Sequence, residues 1–102
     1  MTRTMVEITF AEALRQANRI EACADDMDRV ARTNLPGICS ELGNAWQGES
    51  ASAYLTKVET SAGNITATAS RLHEIAQTLR TVARIFRDSE LAAIALAERR
   101  DN

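Results

Sequence analysis

Few side chains in this sequence could do chemistry unaided. Cys23, Cys39 and His73 are the only thiols and imidazole. A zinc site needs three or four such ligands at short, converging spacings, and these three have none. The two cysteines fall on one predicted helix. At about 1.5 Å of rise per residue they stand roughly 24 Å apart, beyond the reach of a bridge. They read as reduced, small apolar residues. The fourteen carboxylates are exposed by pattern, which gives no reason to expect a shifted pKa. No glycine-rich phosphate loop and no catalytic motif is present. The expectation is a non-enzyme, with no catalytic residue, no metal and no cofactor.

Composition narrows the remaining classes. At 102 residues the chain is expected to form a single domain, and its 25% charged and 45% hydrophobic residues are those of a globular protein. One proline, four glycines and abundant alanine favour helix. A net charge of -2 gives no electrostatic case for nucleic acid or an anionic membrane. Lys57 is the only lysine, and the arginines are scattered. MTRTMVEITF lacks the apolar core of a signal peptide. The longest apolar run, Leu91 to Ala97, is too short to span a membrane.

The elements that must position any functional residue are two long helices. Thr9-Phe10-Ala11-Glu12 reads as a capping box, so the first helix is expected over 10–43. Seven-residue steps from Phe10 reach Ala17, Ala24, Ala31, Ile38 and Ala45, all apolar. Ala13, Ile20 and Met27 fill the second seam position at first. Leu35 and Leu42 fill it later, displaced by one residue. That shift reads as a stutter, and Pro36 lies on it, so a kink or short break is expected near residues 33–35. Asp25/Arg29 and Asp28/Arg32 read as i,i+4 pairs on a solvated face.

The second helix is expected over 49–98, with Glu49 at the positive end of its dipole. Its ladder is Ala51, Val58, Ile65, Leu72, Leu79, Phe86 and Ala93. Leu55, Ala62, Ala69, Ala76 and Ala83 flank it, and Ile75, Val82 and Leu96 widen the stripe. Residues 60–70, with Gly63 and many Ser and Thr, are the weakest stretch. The fold class is therefore all-α: a two-helix antiparallel hairpin with a turn at 44–48. Two helices alone cannot cover stripes this wide, so a partner is expected, most simply in a four-helix bundle of two hairpins. The candidate interface residues are Phe10, Leu14, Ala17, Ala24, Met27, Ala31, Leu35, Ile38, Leu42, Val58, Ile65, Leu72 and Leu79.

Trp46, the only tryptophan, lies in the turn with Gly48. A Trp-x-Gly turn at Trp46-Gln47-Gly48, between two long helices near the middle of a chain of this length, resembles the WXG family. These are small helical hairpins, the early-secreted-antigen-like substrates of the type VII (ESX) secretion pathway. The resemblance covers essentially the whole chain. It implies hairpins that dimerise into four-helix bundles. It also implies secretion without a cleaved signal peptide, from a cytoplasmic pool, through the type VII secretion ATPase.

Many members carry a Tyr-x-x-x-Asp/Glu export element late in the second helix. Here Phe86-Arg87-Asp88-Ser89-Glu90 stands in its place, so the acid is present and the hydroxyl is missing. Phe86 and Glu90 are the candidate export element, while Phe86 is also a ladder residue with a core-packing reading. A phenylalanine version resembles the helical partners of LXG-type toxins, which bind the toxin's N-terminal region and direct its export. The resemblance implies as partner a second copy, a second small hairpin, or such a toxin.

Overall fold

The structure, a computed structural model, describes residues 1–101. Helix α1 spans Arg3–Arg29, a wider helical turn follows over Val30–Asn34, α2 spans Leu35–Ala45 and α3 spans Glu49–Asp101. The fold is the all-α helical hairpin expected, with no strand among the described residues.

The first helix begins a full two turns earlier than the capping box predicts. The Met5 N–H donates to the Thr2 hydroxyl at 3.1 Å, and the Val6 N–H donates to the Thr2 carbonyl at 3.0 Å. Thr2 thus supplies the oxygen that an exposed helix start needs. Thr9 lies inside α1, and Glu12 turns instead to Arg15, at 2.5 Å, and Gln16, at 2.8 Å. The Gln16 amide and then the Arg15 guanidinium hold the Glu12 carboxyl below its ordinary pKa. The earlier start is worth having because Val6 is fully buried, so the seam begins before Phe10.

Around Pro36 the chain neither breaks nor leaves the helical region. The Leu35 N–H reaches back five residues to the Val30 carbonyl, with Asn34 and Leu35 both in right-handed helical conformation. Pro36 has no N–H for the Arg32 carbonyl and its ring would crowd that oxygen. A turn with one extra residue relieves the crowding. It also supplies the displacement seen in the ladder, where Met27 is followed by Leu35 after eight residues. The expected break is therefore replaced by a wide turn, and the seam passes to Leu35 and Cys39, both half-buried. Ile38 and Ala45, the next rungs of the original ladder, are rotated out and exposed.

Residues 60–70 remain helical within α3. Threonine hydroxyls there donate back to carbonyls four residues earlier, Thr60 to Thr56 at 3.1 Å and Thr68 to Asn64 at 3.0 Å. α3 also runs three residues beyond the expected end. Arg99 and Arg100 occupy its last turn, where cations favour the negative end of the dipole.

The chain forms two compact units. In the first, Met1–Glu21 packs against α3 from Glu74 onward; Val6, Ala17, Ala76 and Ala83 are buried there. Arg3 pairs with Glu98 at 2.5 Å, and the Arg87 guanidinium lies 4.2 Å over the Phe10 ring. The Arg80 side chain is only 15% exposed and donates to Asn18, at 2.9 Å, and to Glu21. The second unit, Ala22–His73, buries Ala24, Ala31, Ala51 and Ala69. Asp28 pairs with Arg32 at 2.7 Å as expected, whereas Arg29 takes Asp26 and Asp25 meets His73 Nε2 at 3.2 Å. In both units the fully buried side chains are nearly all alanines. Small residues let helices approach closely, and a pair of helices fully encloses only its central line. The larger ladder residues therefore straddle that line half-buried.

Candidate functional site

The hairpin turn is built by three residues. α2 ends at Ala45, and the Trp46 N–H closes it by donating to the Leu42 carbonyl at 2.7 Å. Trp46 then takes an extended conformation, φ -123° and ψ 113°. Gly48 has φ +119°, a region that side chains resist, and the Ser52 N–H donates to its carbonyl at 3.1 Å. The turn thus occupies 46–48, shorter than the 44–48 expected, because Asn44 and Ala45 stay helical.

Trp46 remains 45% exposed. Its ring lies 5.8 Å from that of Tyr54 and is tilted by 54°, within the spacing of favourable aromatic pairs. Tyr54 is itself 54% exposed. Tyr54 is a member of this site that sequence reasoning missed. The available signal was an aromatic early in α3, across the turn from the tryptophan. Leu42 and Ile38 are also exposed and lie one and two turns before Trp46 on α2. Steps of four residues put Ile38, Leu42 and Trp46 along one stripe of that helix.

Phe86 and Glu90 lie in the first unit and both are half-buried. Phe86 lines a largely apolar cleft of about 260 Å³ with Thr9, Phe10, Ala13, Leu79, Val82 and Ala83. Phe86 thus stands on α3 beside Phe10 and Ala13 of α1. Glu90 follows one turn later on the same face.

The remaining candidate residues divide by burial. Ala17, Ala24 and Ala31 are enclosed by their own chain and reach no outside surface. Phe10, Leu14, Met27, Leu35, Val58, Ile65, Leu72 and Leu79 are half-buried beside the alanine line. Ile38 and Leu42 are exposed. The exposed Met5, Ile8, Ile75, Val82, Ile85 and Leu96 of the first unit extend the apolar surface beyond the predicted set.

No group of three or more His, Cys, Asp or Glu converges among the described residues, and no helix there is long and apolar enough to cross a membrane. The arrangement offers apolar and aromatic contact surface. Neither a curated protein nor a solved structure matches the chain significantly. The model of the WXG100 family, described as proteins of 100 residues with WXG, matches residues 5–90. That span includes most of both long helices and the Trp46-Gln47-Gly48 turn, and the chain belongs to the WXG100 family of small helical proteins secreted by the type VII system.

Proposed function

We propose that this protein is a type VII substrate exported folded as a dimer, acting through protein–protein contacts. The partner in the dimer is a second copy or a second small hairpin, joined as a four-helix bundle. One observation carries the reading. Val6 is the only large side chain fully buried among the described residues. Within the first unit Phe10, Leu14 and Leu79 stay half-buried and Ile75 and Val82 exposed, which leaves apolar surface for a partner to cover.

Light scattering behind size exclusion tests this reading, and a mass of twice 11.2 kDa is expected at micromolar concentration. A monomeric hairpin under those conditions would overturn the homodimer. Export is expected without a cleaved signal peptide, from a cytoplasmic pool, with the type VII ATPase as the receiving partner.

A second reading is favoured by the phenylalanine at position 86. In it the chain is a targeting factor that binds the N-terminal region of a larger LXG-type toxin and directs its export. A hairpin whose mass rises only when a toxin's N-terminal region is added supports this second reading over the first.

A further inference from the structure

α2 buries none of its residues, although it carries Leu35, Ile38 and Leu42. Towards α3 it turns smaller groups. Pro36 and Cys39 line a cleft of about 440 Å³ together with Leu55 and Val58 of α3. Gly43 comes nearest to Leu55, whose side chain would lie 3.7 Å from a Cβ added there. Ile38 and Leu42 are exposed and stand outside that cleft. All of these residues belong to the second unit.

The wide turn at Val30–Asn34 causes this arrangement. Its extra residue rotates α2 by about 100°. In a regular helix seven residues make nearly two full turns, so Ile38 would follow the buried Ala24 and Ala31 onto the face that meets α3. Each residue of α2 would then take the place its successor now holds. Ile38 would enter the cleft in place of Cys39, Leu35 would replace Pro36, and Leu42 would replace Gly43. Every one of these exchanges puts a larger apolar side chain against α3. Asn34 and Glu41 would take the outward places of Leu35 and Leu42, and the residue released would pass to the turn at 46–48. Two effects oppose one another. Pro36 disfavours the regular helix, because its ring crowds the Arg32 carbonyl. The unfilled cleft disfavours the wide turn. With no buried residue in α2, rotation breaks few packed contacts.

We propose that α2 is a rotating strap. In its main register it shows Ile38 and Leu42 beside Trp46. In a second, less populated register the wide turn closes into regular helix, and both side chains seat against α3. Apolar surface next to Trp46 is thereby shown or withdrawn, and a partner that covers Leu42 in the main register holds the wide turn in place. The rotation requires neither export nor dimerisation, so it is tested apart from the proposed function.

Disulfide trapping in the full chain is that test. Two thiol pairs are compared, both with Cys23→Ser. The first pairs native Cys39 with Val58→Cys and reads the main register. The second pairs Ile38→Cys with Val58→Cys in a chain that also carries Cys39→Ser, and it reads the closed register. Diamide takes up the two hydrogens of each dithiol, and the intramolecular product is followed by mass in dilute solution. The second pair is expected to close about tenfold more slowly than the first, as a register populated at about 10% requires. Pro36→Ala should speed it severalfold, with the wide turn still the main form. Deleting Thr33 together with Pro36→Ala leaves a regular helix with no spare residue, so the first pair should still close and the second should not. A second pair that fails to close without the deletion would overturn the proposal. So would one that closes as fast with the deletion, since fraying of α2 and not rotation would then bring the thiols together. Failure of both pairs would show that α2 and α3 do not approach across the cleft, and would overturn it equally.

Discussion

Arg80 is the residue whose role is least like its appearance in the sequence. It sits among charges that pattern assigns to solvent, yet its guanidinium is nearly enclosed and joins Asn18 and Glu21 of α1 to α3. Bonds to charged groups in a partly desolvated place are worth more than surface pairs. Arg80→Met keeps the aliphatic stem but removes those bonds, and it is expected to cost about 1–3 kcal/mol in urea unfolding. An unchanged midpoint would mean the pair is solvated. Two glycines make an opposite pair. Gly63 lies within α3 with open space where a Cβ would stand, so Gly63→Ala should stabilise by about 0.5–1 kcal/mol through helix propensity. Gly48 also has open space, but its φ of +119° is unsuited to a side chain, so Gly48→Ala should destabilise by about 1–3 kcal/mol. Thermal unfolding of the two variants should shift in opposite directions.

At the scale of elements, the wide turn at Val30–Asn34 decides which face of α2 meets α3. It adds one residue, and one residue rotates everything after it by about 100°. Without the extra residue's room, a regular helix would put Asn34 and Glu41 where Leu35 and Leu42 now lie, and Pro36→Ala alone should therefore keep the turn. Deleting Thr33 acts differently. It removes one residue, so a regular helix again carries Leu35 and Leu42 to the face they now occupy. The same deletion brings the Pro36 ring against the carbonyl of Ala31, with no wide turn to relieve it. Deletion alone is expected to destabilise by about 3 kcal/mol, and deletion combined with Pro36→Ala should recover most of that loss. Urea unfolding of the three variants checks this. A deletion variant as stable as the parent would show that the turn does not serve to accommodate the proline.

For the whole molecule, the alanine line explains why the chain holds its hairpin while leaving much of its apolar surface uncovered. The proposed dimerisation and the proposed export signal would both draw on that uncovered surface, so the variants that test export must avoid the seam. Phe86→Ala truncates a half-buried side chain beside Phe10 of α1, and a fall in export would mix folding with signalling. Glu90→Ala is the cleaner probe. Its export, measured as the secreted fraction in cells with an intact type VII system, is expected to fall severalfold at unchanged helicity. Export equal to that of the parent chain would remove Glu90 from the signal.

Much of this was legible in the sequence, and for a definite reason. Seven-residue periodicity is a one-dimensional record of a two-helix contact, so the hairpin, the Glu49 start and the shift between Met27 and Leu35 could be read from residue order. The Trp46 turn was legible because Gly48 stands between the two ladders, whereas Gly43 and Asn44, which made the turn look longer, stay helical in α2. Capping was misread at Thr9 because a local motif carries no information on whether the preceding turn has something to bury, and Val6 does. The tertiary structure alone decided which apolar residues are enclosed. Periodicity marks a whole stripe, but only the line where two backbones come close excludes water, and in this protein that line is filled by alanines. It also decided the enclosure of Arg80 and the cleft beside α2, since both depend on what the opposite helix places across from them.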